Sequence, residues 1–302
     1  MNLIPISDLS DFRIAPYCRL TNRELRSPAF TLKTPAGASA AVSVTPPEAA
    51  ETTTATATSL CICESLFVIQ QAFARGLRIQ SLLISDNHAQ TICQDIPELR
   101  ESSLPVFVAS QEVLSAIAGF SVTRGYFACV ERPCRTALSP AALRDIKTLC
   151  VLENFRDVSN VGATIRNACA LGIDALLLSP ECADPYARRA IRTSMGTVFG
   201  VPMLEARGRW PEDVAQILAQ EGFYLIAAAL GDHVRMLQDM HVSPDQKIAV
   251  FFGNEGRGLS SSVLACVDQS YMIPMQHDVD SLNVAASSAV FFWQIAQARA
   301  RS

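Results

Sequence analysis

The sequence lacks the features that would place it in a membrane or secreted class. None of its uncharged apolar runs approaches the ~20 residues that a membrane-spanning helix needs, and the best of them, Phe223–Leu230, is far too short. The start, Met1–Arg13, has no basic stretch followed by an apolar core, so we expect no signal peptide. We therefore expect neither a membrane protein nor a secreted one.

Metal-site spacing is also missing. The chain has ten cysteines and four histidines but no CxxC motif that could pair with histidine around zinc. Cys150, Cys169 and Cys266 lie within apolar runs, as small buried hydrophobic residues do. We predict no metal site, no disulfide framework and a location in the reducing cytoplasm.

Lysine is scarce, because only Lys33, Lys147 and Lys247 stand among the 25 basic residues, and the rest are arginine. The net charge is −4, so the chain has no global basic footprint of the kind that many nucleic-acid-binding proteins show. Arginine suits phosphate recognition, but the same ratio can reflect codon composition. Charge alone neither supports nor excludes RNA binding.

Length and composition indicate a globular protein of about two domains. The 302 residues are 49% hydrophobic and 18% charged. We divide the chain into an N-terminal segment (1–33) with an arginine-bearing stretch at 19–26, a flexible low-complexity insertion (34–59), a small α/β domain (60–140) and a larger α/β domain (145–302). The insertion is rich in Ala, Thr, Ser and Pro, which cannot bury enough apolar surface to offset the entropy cost of ordering.

Hydrophobic periodicity predicts an α/β fold. The predicted elements of the small domain are helices at 65–76 and 111–117 and strands at 79–84, 106–109 and 126–130. In the larger domain the strands are 147–153, 173–178, 198–204, 223–229, 248–253 and 270–273, and the helices are 161–171, 185–194, 211–220, 259–266 and 281–299. Strands that are almost continuously apolar, alternating with helices, indicate a mostly parallel sheet covered on both faces. Ligands bind such sheets at the carboxyl ends of the strands.

The first loop whose residues could take part in a reaction is NFRDVSNVGATIRNACALG (154–172), which follows a strand and opens a helix. Arg166 shares a helical face with Gly162 and Ala170, and these small neighbours would leave room for a partner. The plain alternative is a surface arginine in a salt bridge.

The second loop is FFGNEGRGLS (251–260), between an apolar strand and a helix. Its three glycines permit unusual backbone dihedrals and a close ligand approach. It is neither a GxGxxG nor a Walker loop, and the alternative is an ordinary glycine-rich turn. Glu255, placed among the glycines, favours a site.

The third loop is YMIPMQHDVDSLNVAA (271–286), where a strand ends at a proline and a polar loop leads into a helix. Asp280 or Ser281 is the predicted N-cap, and Ser281 and Asn283 could both be caps and nothing more. His277 is better interpreted as an exposed loop histidine than as a catalytic base.

In order and spacing the three loops resemble the three motifs of the SpoU (TrmH-type) RNA 2′-O-ribose methyltransferases of the SPOUT superfamily, over roughly residues 147–298. The preceding region resembles the substrate-binding domain that family members often carry, a small α/β RNA-binding fold. The resemblance implies a deep trefoil knot in the C-terminal domain and S-adenosylmethionine (SAM) bound within it. The implied SAM-contacting residues are Gly253, Asn254, Ile273, Met275, Leu282, Ala229 and Leu230.

The resemblance further implies methyl transfer to a ribose 2′-hydroxyl of rRNA or tRNA by a homodimer, with Asn160 and its motif near the partner's SAM site. A guanidinium gives up its proton too reluctantly to be a good base, so we expect Arg166 to stabilise a phosphate and the hydroxylate. The remaining catalytic residues would be Asn160, Glu255, Ser281 and Asn283. Weaker candidates for RNA phosphate contact are Arg156, Arg188, Arg189 and Arg192.

Three alternatives stay open from the sequence. The protein could be a non-catalytic SPOUT-like RNA-binding protein, although its intact motif residues argue against this. It could be a SAM-dependent RNA base methyltransferase, although the Ser281-Leu282-Asn283 triplet together with Arg166 favours ribose chemistry. A nucleotide-binding α/β protein would need a phosphate loop that is missing here.

Overall fold

A computed structural model describes residues 2–18, 59–119, 121–231, 234–277 and 279–301. The chain divides into two compact units, Met1–Arg132 and Pro133–Ser302. The arginine-bearing stretch at 19–26 and almost all of the predicted insertion lie outside the described residues. None of the described helices combines the length and apolar character that a membrane crossing requires.

The first unit is built on a five-stranded sheet in the order β1-β4-β3-β5-β2. Its strands are β1 (Asn2–Ile6), β2 (Leu60–Glu64), β3 (Ile79–Ser85), β4 (Pro105–Ala109) and β5 (Tyr126–Glu131). Its helices are α1 (Leu66–Ala74), α2 (Ile92–Asp95) and α3 (Gln111–Ala118). Strands β1, β3 and β4 are mutually parallel, and β5 runs antiparallel to its neighbours β3 and β2.

The beginning of the chain belongs to this first unit. Strand β1 pairs with β4, and the buried hydroxyl of Tyr17 donates to Ser81 O (2.9 Å) and accepts from Cys129 N (3.1 Å). Residues 2–18 of the predicted N-terminal segment 1–33 thus contribute to this unit, and the strands at 2–6 and 60–64 are not predicted from the sequence. Both strands are only five residues long, which is too short for a clear hydrophobic periodicity.

The second unit is an eight-stranded sheet in the order β11-β13-β10-β12-β7-β8-β9-β6, and all of its strand pairs are parallel. Its strands are β6 (Thr136–Ala137), β7 (Thr148–Leu152), β8 (Ala175–Leu178), β9 (Met203–Glu205), β10 (Phe223–Ala228), β11 (Arg235–Met236), β12 (Lys247–Phe252) and β13 (Gln269–Met272). Its helices are α4 (Val158–Ala170), α5 (Arg188–Thr193), α6 (Glu212–Gln220), α7 (Ser261–Leu264) and α8 (Val284–Arg301). The predicted parallel α/β architecture is confirmed, and the deep knot stays a prediction with which this strand order is consistent.

Several predicted boundaries are wrong: helix α4 begins three residues earlier than predicted, at Val158, and helix α5 three residues later, at Arg188. The strand predicted at 198–204 is replaced by a 3₁₀ turn at Thr197–Phe199, after Gly196 with a φ of 78°, and only Met203–Glu205 pairs as a strand. The last helix begins three residues later than predicted, because the Asn283 side chain, and not Asp280 or Ser281, accepts from the N–H of Ala285 (2.9 Å). The helix predicted at 259–266 shrinks to α7, which Ser260 caps by accepting from Val263 N.

The ten cysteines are free thiols. Cys150 is fully buried as predicted, and burial raises the pKa of its thiol well above the ordinary value, so it acts as a packing residue. Cys169 and Cys266 are only half-buried.

Two contacts bring the start of helix α8 to the carboxyl edge of the central strands. The Asn167 amide on α4 donates to Ala285 O (2.6 Å) and to Ser288 Oγ (3.0 Å). Phe252, at the end of β12, meets the rings of Phe291 and Phe292 edge-on at 5.4 and 5.6 Å between centroids. The second and third loops are therefore held at the same edge of the sheet.

Candidate active site

The glycine-rich loop after β12 folds back onto itself. A Cβ atom on Gly253 would lie 2.1 Å from the carbonyl carbon of Gly258 and 2.2 Å from Leu259 N. The loop is closed by Gly258 N donating to Asn254 O (2.8 Å), and Gly258 adopts a φ of +67°, which favours glycine. The close approach that requires glycine at position 253 is therefore to the chain's own backbone.

The Asn254 side chain holds this loop together. Its Oδ1 accepts from Gly256 N (2.9 Å), and its Nδ2 donates to Asn154 O (2.9 Å), which follows β7. Because both the oxygen and the nitrogen of this amide are hydrogen-bonded within the chain, the Asn254 side chain fixes the shape of the loop. The residue also lines the cavity described next, where a ligand could contact it.

A cavity of about 620 Å³ opens between the carboxyl ends of β10, β12 and β13 and the start of α8. All seven predicted SAM-contacting residues line it, as do three of the five predicted catalytic residues: Ala229, Leu230, Gly253, Asn254, Ile273, Met275, Leu282, Glu255, Ser281 and Asn283. Among the described residues of the lining only Glu255 and Arg257 carry a charge, and both come from the glycine-rich loop.

Asn160 links the first loop to the other two. Its Nδ2 donates to Glu255 Oε1, and its Oδ1 accepts from Asn283 Nδ2 at 3.1 Å. A single amide thus connects a carboxylate on the second loop with an amide on the third. This chain Glu255–Asn160–Asn283 fixes the relative positions of three motifs that are far apart in the sequence.

Arg166 stands apart from the cavity. It lies on α4, is exposed, does not line the cavity, and makes no hydrogen bond or ion pair with any described residue. A salt bridge of Arg166, the alternative that the sequence left open, is therefore not seen within the part of the chain that the structure describes.

The expectation that Gly162 leaves room beside Arg166 is wrong. Gly162 is buried, and a Cβ there would lie 2.0 Å from Thr193 Oγ1 and 2.5 Å from Ala190 O on helix α5. The small residue serves the close packing of α4 against α5.

The other candidate residues have varied surroundings. Arg156 forms an ion pair with Glu181, and both side chains are exposed. The three arginines of helix α5 lie at or near the surface: Arg188, Arg189 and Arg192. His277 is exposed, in agreement with the sequence analysis, and the described residues hold no group of three or more His, Cys, Asp or Glu arranged for a metal ion.

Sequence reasoning missed Glu153, which directly follows β7. The residue is buried, with 2% of its surface exposed. It accepts hydrogen bonds from Trp210 Nε1 (2.9 Å), Ser260 Oγ (2.7 Å) and Ser260 N (2.7 Å). The signal available in the sequence was an acidic residue at the end of a buried apolar strand.

The chain is similar in sequence to RNA methyltransferases. An uncharacterized tRNA/rRNA methyltransferase of Mycobacterium tuberculosis is 31% identical over 79% of this chain and 81% of its own length. The 23S rRNA (guanosine(2553)-2'-O)-methyltransferase RlmP of Bacillus subtilis is 23% identical over 80% of this chain and 90% of its own length.

Solved structures agree on the fold. An AdoMet-bound rRNA methyltransferase from Sinorhizobium meliloti superposes with a TM-score of 0.70 at 19% identity, covering 98% of both chains. The SpoU methyltransferase AviRb from Streptomyces viridochromogenes, in complex with AdoMet, gives a TM-score of 0.66 at 20% identity, over 80% of this chain and 92% of its own. The SpoU rRNA methylase family model matches residues 147–293, which contain all three loops. The chain therefore belongs to the SpoU rRNA methylase family.

Proposed function

We propose that this protein is a SAM-dependent RNA methyltransferase that methylates a ribose 2′-hydroxyl of rRNA or tRNA. The observation that carries the proposal is the hydrogen-bonded chain Glu255–Asn160–Asn283, two members of which line a cavity that also contains every predicted SAM-contacting residue. Two relatives that align over most of their length support it by name, the 2'-O-methyltransferases RlmP of Bacillus subtilis and RlmB of Yersinia pestis.

The cavity suits SAM in size and chemistry. Its volume of about 620 Å³ lies within the ~300–1,000 Å³ typical of cofactor sites. Ile273 and Leu282 offer apolar contact to an adenine face, and Gly253 presents backbone groups. SAM, when bound, supplies a methyl group on a positively charged sulfonium centre. The lining carries one carboxylate, Glu255, and one guanidinium, Arg257, and the carboxylate is the group whose charge is complementary to a sulfonium.

Arg166 is proposed to act on the RNA. A guanidinium is a planar cation that binds phosphate through two hydrogen bonds, so Arg166 stabilises the developing 2′-hydroxylate and a neighbouring phosphate, and a phosphate oxygen of the RNA accepts the proton. Asn160 and Glu255 orient the reacting groups, and Ser281 and Asn283 complete the site. Precise positioning of the reacting groups accounts for a large part of the rate acceleration in transfers of this kind.

A homodimer would bring Arg166 to a cavity that it does not line in its own chain. Helix α8 supports this, because its outer face carries exposed Val290 and Trp293, 37% and 50% exposed. Further exposed alanines continue the face at helical spacing, at positions 286, 296 and 300. A helix face with this apolar, uncharged stripe is typical of an interface. We propose that a second copy of the chain covers it and that its Arg166 serves the partner's cavity.

Trp293→Glu tests the dimer. A buried charge in an apolar interface is costly, so the variant should sediment as a monomer while the wild type sediments as a dimer, and methyl transfer should fall by about 10²-fold or more because Arg166 no longer reaches a cavity. Analytical ultracentrifugation is the measurement. Leu9→Glu is the control, since Leu9 is 50% exposed in the first unit. A Trp293→Glu dimer, or a monomeric Leu9→Glu, contradicts the assignment of α8.

Asn160→Asp tests the hydrogen-bonded chain. The new carboxylate would face Glu255 Oε1 in place of a donor, so repulsion replaces a hydrogen bond and kcat/KM should drop about 10- to 100-fold. Steady-state methyl transfer with labelled SAM measures it. The same substitution at exposed Asn87, in the first unit, should leave kcat/KM unchanged. Wild-type kinetics in Asn160→Asp would remove this amide from the machinery.

We propose the first unit as the part that recognises structured RNA, with rRNA as the favoured substrate. Phe67 on α1 offers an exposed ring on which a base can stack, and Arg75 follows at the end of the same helix. The ten free thiols support a reducing, cytoplasmic compartment.

The decisive assay uses labelled SAM and bulk RNA that lacks native modifications, followed by digestion and mass spectrometry of the nucleosides. A 2′-O-methylated nucleoside is the expected product. A base-methylated nucleoside would favour the base methyltransferase, and a chain that binds no SAM would favour the non-catalytic RNA-binding protein.

A further inference from the structure

Glu153 is a buried carboxylate that the proposed reaction does not use. It is 2% exposed, and no described cation forms an ion pair with it. Burying a carboxylate is costly unless hydrogen bonds compensate, and here three donors do so, two from Ser260 and one from the indole of Trp210. A buried carboxylate with three dedicated donors beside the glycine-rich loop indicates a specific structural role for this residue.

The partners of Glu153 lie at the far end of the glycine-rich loop. Ser260 is the N-cap of helix α7, immediately after the loop that begins at Gly253. Glu153 N itself donates to Phe252 O (2.9 Å), which ties it to the strand from which the loop departs. One residue thus contacts the chain on both sides of the loop.

The next residue holds the near end of the loop. Asn154 has a φ of 55°, an unusual value for a residue other than glycine. Its carbonyl accepts from Asn254 Nδ2 (2.9 Å), and its N–H donates to Ser179 Oγ (2.9 Å). Residues 153 and 154 therefore fix the loop at Asn254 and at Ser260.

We propose that Glu153 is a positioning residue for SAM binding, which rests on the function proposed above. It does not line the cavity, so it acts through the loop. By holding Ser260 and Trp210, its carboxylate keeps residues 253–259 in the conformation that binds SAM, and the ligand does not have to order them. Preorganisation of this kind improves affinity by lowering the entropy lost on binding.

The donor pattern makes a carboxylate specific for this position. Trp210 Nε1–H and Ser260 N–H can only donate. A glutamine at 153 can direct its oxygen to one of them but must then present its NH₂ group to the other. With the oxygen on Ser260 N–H, the NH₂ group opposes the indole N–H, and replacing the indole removes that conflict.

The test is a pair of variants measured by calorimetric titration with SAM. Glu153→Gln should weaken SAM binding about tenfold, the factor expected when a buried group loses its partner. Its kcat at saturating SAM should stay close to the wild-type value, because no group that touches the RNA has changed. Trp210→Phe, which keeps the carboxylate and two of three donors, should weaken binding about threefold.

The double variant Glu153→Gln/Trp210→Phe gives the readout that a general loss of stability would not produce. It should bind SAM more tightly than Glu153→Gln alone, because the amide no longer faces an indole donor. The matched control is Glu212→Gln, at an exposed glutamate of the same unit, which should bind SAM as the wild type does.

The outcomes separate this proposal from the function on which it rests. If the wild type binds no SAM, the proposed function fails. If the wild type binds SAM and Glu153→Gln binds it equally well, or if the double variant is weaker than both single variants, the positioning role is overturned. If Glu153→Gln does not fold, unchanged affinity in Trp210→Phe overturns the role as well.

Discussion

Arg166→Ala is expected to lower the rate of methyl transfer by about 10²- to 10³-fold, the usual effect of removing one group that stabilises charge in a transition state. SAM affinity and thermal stability should be unchanged. Arg166 is exposed, does not line the cavity and has no hydrogen-bond or ion-pair partner among the described residues, so its removal leaves the folded protein undisturbed. Single-turnover transfer to unmodified RNA, together with SAM titration, measures the two effects separately.

Two further arginine variants sharpen this result. Arg166→Lys keeps the charge but loses the planar fork that binds phosphate through two hydrogen bonds, and its rate should lie between those of the wild type and Arg166→Ala. Arg144→Ala is the control, because Arg144 is also exposed and without a partner among the described residues. Full activity in Arg166→Ala, or an equal loss in Arg144→Ala, would remove Arg166 from its proposed role.

Gly253→Ala should abolish SAM binding and lower the melting temperature by about 2–12 °C, since overpacking costs about 1–3 kcal/mol and each kcal/mol shifts Tm by about 2–4 °C in a unit of this size. The added Cβ would lie 2.1 Å from the Gly258 carbonyl carbon and 2.2 Å from Leu259 N. These are backbone atoms, so the loop itself has to move. Differential scanning calorimetry and SAM titration give the two values.

Gly256→Ala in the same loop is the matched comparison for stability. Its Cβ would meet only Asn254 Oδ1, at 3.5 Å, which is an ordinary contact, and its φ is not in the left-handed region. Its melting temperature should therefore stay near that of the wild type. Equal losses of stability in the two variants would show that the backbone crossing at Gly253 is not the cause.

Local sequence predicted the architecture of the second unit because its signals are local. Each of the central strands is a run of apolar residues that can be identified by its length and hydrophobic pattern. Strands that alternate with helices along the chain are typical of a parallel sheet. Predictions failed where a single backbone conformation decided the outcome. Gly196 ended the regular structure before the strand predicted at 198–204, and the Asn283 cap set the start of α8.

The residues of the three loops and their order could be read from the sequence, and so could the cavity wall, because loops that follow neighbouring parallel strands emerge at one edge. What joins them could not. Asn160 contacts residues 95 and 123 positions away, and Glu153 contacts partners 57 and 107 positions away. Such contacts leave no periodic trace.

The sequence by itself therefore determined the fold class and the family resemblance, and it supplied the candidate site residues, through spacing and residue type. Only the tertiary structure decided why two glycines are required: backbone atoms lie against Gly253, and helix α5 lies against Gly162. It also decided that Asn160 links two loops and that Glu153 is buried among hydrogen-bond donors. The physical reason is that close packing and hydrogen-bond geometry depend on which distant segments meet, and that is fixed only when the whole sheet and its covering helices are assembled.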